Sequence, residues 1–321
     1  MFRISEIETY FPEKKVTNED LQKEFPEWSP EKIFNKVGVK QRHTASAEET
    51  VLELAVKASE KLLKKIDKNE IDFILFCTQS PDYHLPTTAC ILQDRLGLRK
   101  NIGALDFNLG CSGFVYGLSI AKGLIATGVA QNILLVTAET YTKYLRKSDK
   151  SNRTIFGDGA AATLIQKDET KENFQFILGT DGSGYDNLIV RNGGGRNRIN
   201  KEDESGNCLY MNGQKIFLFT IEKIPELVRE ILEKNNLTKN NVDYYIFHQA
   251  NAHILRRQRE ILDIPEEKFY INLEKYGNTV SSTIPIALKD ALETGKVKRG
   301  QKIMLIGFGV GLSWGATIVE L

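Results

Sequence analysis

The stretch KNEIDFILFCTQ at residues 68–79 returns, altered but recognisable, as KNNVDYYIFHQA at residues 239–250. Asp72 falls on Asp243 and Cys77 on His248, both 171 positions apart. Downstream, LGCSG aligns with YGNTV, which sets Gly110 against Gly277 and Cys111 against Asn278 at a spacing of 167. The same spacing relates TG at 127–128 to TG at 294–295, and NILLV from 132 meets KIMLI from 302 after three further residues. Two copies of one unit account for these offsets; the generic likeness of any two α/β segments is the other explanation. Read as a duplication, the chain divides into halves 1–170 and 171–321 that pack about a pseudo-twofold axis, so that equivalent turns become neighbours.

Within each half, β-rich runs (IDFILFC, IGALDF, NILLVTA, DYYIFH, KIMLIGF) alternate with segments of helical periodicity such as 50–66 and 215–234. Alternation of this kind predicts α/β layers with mainly parallel strands. A length of 321 residues with 41% hydrophobic content suits one large core or two fused smaller ones.

Composition excludes several classes of function. The 43 basic and 42 acidic residues are spread along the chain, so no global field is built for nucleic acid or an anionic membrane. The start, MFRISEIETYFPEKK, lacks the pattern of a secretory signal, and the most apolar region, 114–138, is interrupted by Lys122, Gln131 and glycines, which argues against a membrane span. Cys77, Cys90, Cys111 and Cys208 form no C-x-x-C pair and no zinc-like spacing. A reduced, cytoplasmic setting without disulfides or a structural metal is expected, and it leaves a thiol free to react.

Cys111 stands between Gly110 and Gly113 just before a helix-period stripe at 114, 115, 118, 120, 121, 124 and 125 that Gly128 closes. A helix start favours the thiolate, and flanking glycines let a substrate carbonyl approach the backbone. The duplication brings Asn278 to this turn, and His248 ends a strand at the same crevice. An amide cannot polarise the imidazole as an aspartate would. Instead His248 Nε2–H and the Asn278 NH₂ both donate to one developing oxyanion. In GFGVGLSWGA (307–316) too few residues follow for a dinucleotide-binding unit, so that loop supplies a backbone N–H at Val310 which joins the Cys111 N–H in a second oxyanion hole. Asp158 in TIFGDGAAATLI is read as a turn former, and His84 as a surface or interface residue.

The motifs FNLGCSGF, FGDGAAATL, TDGSGYD, MNGQKIFLF, HQAN, YGNTVSSTIP and GFGVGLSWGA, in this order across essentially the full chain, resemble β-ketoacyl-acyl-carrier-protein synthase III of the thiolase superfamily. The resemblance implies a five-layered αβαβα fold, a homodimer, a Cys111–His248–Asn278 triad and a role in fatty acid biosynthesis. Cys111 takes an acyl group from a coenzyme A or carrier-protein thioester; malonyl-acyl carrier protein then loses CO₂, and the carbanion attacks to give a 3-oxoacyl thioester. No metal or permanent cofactor is implied; coenzyme A and phosphopantetheine thioesters are substrates. The same resemblance assigns coenzyme A or carrier contacts to Trp28, Lys32, Arg153, Asn251, His253, Arg256 and Arg257. Two positions depart from it: Lys32 stands where relatives often carry a tryptophan, and His253 where an arginine is common. Both put the usual acetyl-coenzyme A starter in question. Acyl transfer from Cys111 to a hydroxyl or amine, and a non-catalytic partner subunit, are the alternatives.

Overall fold

The computed structural model describes residues 1–321. Two sheets organise the chain. The first is built from β1 (Phe2–Tyr10), β2 (Phe73–Cys77), β3 (Gly103–Phe107), β4 (Asn132–Glu139) and β5 (Gly159–Lys167), in the order β1-β5-β4-β2-β3. The second is built from β6 (Phe176–Thr180), β7 (Tyr244–Phe247), β8 (Lys302–Gly309) and β9 (Ser313–Glu320), in the order β6-β9-β8-β7. Beyond β7, an isolated parallel bridge from Tyr245 to Phe269 occupies the place that β3 holds beside β2. The two orders therefore correspond strand for strand, as the repeated FILFC and YYIFH segments require.

Parallel pairing is confined to β3-β2-β4 and β7-β8. β5 and β9 run against their neighbours on both sides, so all strands but one in each sheet point the same way. The sequence-based expectation of mainly parallel strands thus holds for direction, whereas the ladders themselves are mixed. β5 and β9 each follow the preceding sheet strand by a connection that carries no long crossover helix, and such a return is antiparallel.

Side-chain alternation distributes the strands among three apolar layers. Ile74 and Phe76 of β2 face outward with Val136 against α1 (Val51–Leu63) and α2 (Thr88–Arg95), where Leu54, Ala58, Leu62 and Leu92 bury. Leu75 and Leu135 face inward against α3 (Gly113–Ala126) and its later counterpart. On β8 the alternation continues: Ile303 and Leu305 join that inner layer, while Met304, Ile306 and Phe308 point out to α4 (Gly213–Lys234) and α5 (Ala252–Ile261). α6 (Thr283–Glu293) lies beside α3 and contributes Ile284, Ala287 and Leu288. Helices, sheet, helices, sheet, helices: the five layers expected from the resemblance follow from which face each strand residue takes. No helix is long and apolar enough to cross a membrane.

Glycines set how closely the layers approach at the site. A Cβ at Gly307 would lie 2.6 Å from Ser112 Cα and 2.9 Å from the Cys111 carbonyl oxygen, both backbone atoms that cannot swing aside. Gly307→Ala is therefore expected to lower unfolding free energy by ~1–3 kcal/mol in a denaturant titration, because the added methyl overpacks a fixed contact. Gly123→Ala is the counterpart: nothing lies within 4 Å of its Cβ on α3, and a helix-interior alanine should stabilise by about 0.5–1 kcal/mol. Equal stabilities for the two variants would contradict this reading of the interface.

Candidate active site

Cys111 lies two residues before the first residue of α3, with Ser112 as the N-cap residue. The Ser112 hydroxyl donates to Ser313 Oγ at 2.7 Å, and the Ser313 hydroxyl in turn donates to the Val310 carbonyl at 2.8 Å. This relay holds the turn between β8 and β9 against the cysteine loop. The N–H groups of Cys111 and Val310 both donate to the Cys111 sulfur, so the two amides expected to form an oxyanion hole point at one spot.

His248 leaves β7 with its N–H donated to Ile306 on β8. One residue further along β8, Gly307 touches Ser112, and Gly309 sits where a Cβ would be 2.9 Å from the Cys111 sulfur. Phe308, between them, packs edge-on to the His248 ring at a centroid distance of 5.4 Å. Asn278 is fixed by its N–H to the Ile155 carbonyl at 2.8 Å, by the Gly157 N–H donating to its carbonyl at 3.0 Å, and by the Val280 N–H donating to its Oδ1 at 2.8 Å. Its Nδ2 lies 3.5 Å from His248 Nε2. Val280 and Phe156, which flank Asn278, pack in the same cluster as Cys111. The three expected side chains thus share one buried crevice at the C-terminal ends of β7 and β8.

Their charge states differ from the sequence-based expectation. Burial pushes the Cys111 thiol up to about 12, with the nearby Glu139 carboxyl adding to the rise and the two N–H groups opposing it. Desolvation and a neighbouring acid outweigh the helix start, so the resting residue is a thiol and the expected preformed thiolate is corrected. Burial holds His248 down at about 3, so its imidazole is neutral. Glu139 itself is raised to about 8 by burial, although the Gln79 N–H and the hydroxyls of Ser80, Thr78 and Ser281 all donate to it. Sequence reasoning passed over Glu139; a single acid ending the apolar strand NILLVTAE was the available signal. Asp158 is a second correction. It is fully buried and accepts from the Ala45 N–H and from the N–H and hydroxyl of Thr142, a hub tying three segments together and more than a turn former.

The outer contacts fall into two groups. Trp28, half-buried, is ringed by Lys36 at 4.6 Å, Lys32 at 5.6 Å and Lys150 at 5.9 Å. It borders a cleft of about 580 Å³ whose floor includes Ile155 and Leu209, both packed against the Cys111 cluster. Lys36 and Lys150 were not singled out in the sequence because only folding gathers them at the indole. Arg153 is committed to a bidentate pair with Glu24 at 2.7 and 2.8 Å, and Asn251 Oδ1 caps α5 by accepting from Ile254 N–H at 2.9 Å. His253 stacks on Phe217 at 5.4 Å, while Arg256 and Arg257 are exposed along α5. His84 is exposed.

The charge states fix a pH response. Because the thiol ionises far above neutrality, iodoacetamide alkylation of Cys111 should accelerate about tenfold per pH unit from roughly pH 6 upward. Glu139 is neutral below about 8 and ionised above it. Its negative charge then opposes the thiolate, so the wild-type slope should flatten above that pH and the Glu139→Gln slope should not. A rate plateau near neutrality would indicate a preformed thiolate and contradict the assignment.

The 3-oxoacyl-[acyl-carrier-protein] synthase III family model matches residues 105–182, and its C-terminal model matches residues 232–321. A β-ketoacyl-[acyl-carrier-protein] synthase III of Clostridioides difficile is 38% identical over 98% of this chain and 96% of its own length. One from Clostridium perfringens is 41% identical over 97% of each. A crystal structure of 3-oxoacyl-(acyl-carrier-protein) synthase III superposes with a TM-score of 0.97 at 43% identity, covering 100% of this chain and 99% of that one. With the fold, the crevice and relatives spanning its whole length in agreement, the chain belongs to the 3-oxoacyl-acyl-carrier-protein synthase III family of condensing enzymes.

Proposed function

We propose that the chain performs decarboxylative condensation of an acyl thioester with malonyl-acyl carrier protein, with Cys111 as nucleophile and His248 and Asn278 as the donors that hold the enolate. The sulfur attacks the donor carbonyl, the tetrahedral oxygen is held by the Cys111 and Val310 N–H groups, and the departing thiol carries away the proton. Malonyl-acyl carrier protein then loses CO₂ by cleavage of its C–C bond. The enolate oxygen accepts from His248 Nε2–H and Asn278 Nδ2–H, donors 3.5 Å apart that both reach one oxygen at about 2.9 Å. Its carbon bonds to the acyl carbonyl, the C–S bond breaks, and Cys111 recovers a proton.

The observation that carries this reading is the partner of His248 Nδ1, the Thr283 hydroxyl at 2.7 Å. No carboxylate orients the ring. A histidine meant to activate an alcohol or amine as a base is served by an acidic partner, so transfer to a hydroxyl or amine is disfavoured. A neutral, buried imidazole beside a carboxamide is suited to donating hydrogen bonds.

Further elements of the proposal concern assembly. The halves 1–170 and 171–321 act as one catalytic unit, the first giving Cys111 and the second His248 and Asn278. β3 is an open sheet edge with Leu105 44% exposed, and Leu85 nearby in sequence is 83% exposed; a second copy joined at that edge covers both. Sedimentation at twice the monomer mass is the expected check. The exposed Arg256 and Arg257, with His253, form a basic face of α5 for an acidic carrier protein, and the lysines around Trp28 face the phosphates of a coenzyme A or phosphopantetheine thioester. The reaction is placed in the cytoplasm.

Incubation with acyl-coenzyme A species followed by intact mass should give an adduct that Cys111→Ala abolishes. Added malonyl-acyl carrier protein should then release CO₂ and yield a 3-oxoacyl product. His248→Ala or Asn278→Ala should slow CO₂ release by roughly a hundred- to a thousandfold. An adduct discharged only by alcohols or amines, or no adduct from any coenzyme A or carrier-bound donor, overturns the proposal. In the same assay, Arg256→Glu with Arg257→Glu should raise KM for the carrier substrate in a salt-dependent manner with kcat unchanged; an unaltered KM removes the docking assignment.

A further inference from the structure

Resting on the condensing role proposed for His248, we infer that Thr283 is a positioning residue that keeps His248 in its Nε2–H tautomer, the only neutral form able to donate to the enolate.

A neutral imidazole has one ring proton, and burial leaves His248 neutral. If that proton sits on Nδ1, Nε2 presents a lone pair and repels a developing oxyanion. Nδ1 must therefore accept a hydrogen bond, and its one neighbour within bonding distance is Thr283 Oγ1 at 2.7 Å. A carboxylate there would accept from Nδ1–H and enforce the wrong tautomer. A hydroxyl can donate.

The hydroxyl proton has one competing acceptor, the Val280 carbonyl at 3.1 Å. That carbonyl already accepts the Thr283 backbone N–H, which closes the short helical turn Val280–Ser282. Turning the hydroxyl toward Nδ1 thus leaves no backbone group unpaired, and the shorter contact lies on the imidazole side. Thr283 and His248 are each only 2% exposed and Val280 is fully buried, so water cannot replace the hydroxyl. The other face of the ring is consistent. With Asn278 Oδ1 held by the Val280 N–H, the amide NH₂ is the end turned toward Nε2. Val280 and Thr283 thereby orient both donors from one turn of chain. At a helix start a threonine hydroxyl commonly bonds the carbonyl three residues back, so the residue has an ordinary structural use as well; the test must separate the two.

Thr283→Val removes the hydroxyl at nearly constant volume, and Thr283→Ser keeps it. In Thr283→Val, CO₂ release from malonyl-acyl carrier protein should fall roughly ten- to a hundredfold, while acylation of Cys111 stays within about threefold of wild type. Thr283→Ser should restore CO₂ release to within about threefold. Long-range ¹H–¹⁵N spectra of ¹⁵N-histidine-labelled protein, with His248 assigned by its loss in His248→Gln, should show the Nε2–H pattern in wild type and Thr283→Ser and a mixture in Thr283→Val. An Nδ1–H pattern in wild type, full CO₂ release by Thr283→Val, or a parallel loss of acylation and CO₂ release each overturns the inference. Absence of CO₂ release from wild type strikes instead at the condensing reading, and the spectra still decide the tautomer.

Discussion

The contact on which the rest of the molecule depends is one of backbone against backbone, where Gly307 and Gly309 of β8 press on Cys111 and Ser112. Any side chain at Gly307 would push the two halves apart at the point where their chemistry meets. With the approach preserved, the Ser112–Ser313 hydroxyl relay can lock the Val310 turn, and the bridge from Phe156 to Asn278 can draw the second-half loop across the first. The Ser281 hydroxyl donates to Glu139 across the same junction at 2.9 Å. Each half alone has a sheet and helices; only the pair has a site.

Burying that site sets its electrostatics. A thiolate, an imidazolium and a carboxylate would each carry a large desolvation cost in so enclosed a place. The structure avoids it by holding the thiol and imidazole neutral and surrounding Glu139 with four donors. Fixed dipoles remain: two N–H groups at the sulfur, and one amide beside the ring. Such groups act on charge as it develops and need no reorganisation when it does. Neutrality at rest and stabilisation in the transition state are the same design seen at two moments.

How much of this was legible in the sequence depended on range. FILFC against YYIFH exposed the duplication because strand hydrophobicity is written locally, and superimposing the halves then paired Cys111 with Asn278 without any structure. The helix at 113–126 and its glycine stop, Gly128 with φ of 75°, were legible for the same reason. Strand direction in β5 and β9 was not, since it is decided by the length of return connections. The ionisation of Cys111 was missed because a helix start is visible in sequence while the acid that opposes it, Glu139, arrives from another strand. Thr283 was invisible: a threonine among VSST has no mark until His248 is seen beside it. Arg153 looked available for a phosphate, yet Glu24, 129 residues away, holds it.

The division of labour between charged and uncharged groups follows from depth. Around Trp28 the lysines keep their ammonium groups in solvent, where charge attracts anionic thioester carriers at little desolvation cost and falls off within a Debye length. At Cys111 the same charges would be costly to bury and would bind the carboxylate of a malonyl group that has to leave as CO₂. An enclosed crevice of neutral donors favours the product of that loss over its reactant: a carboxylate entering it surrenders hydration for which no cation compensates, whereas the enolate places its charge on one oxygen already faced by two N–H bonds. Recognition by charge therefore belongs at the mouth, and selection among charge states belongs at the sulfur.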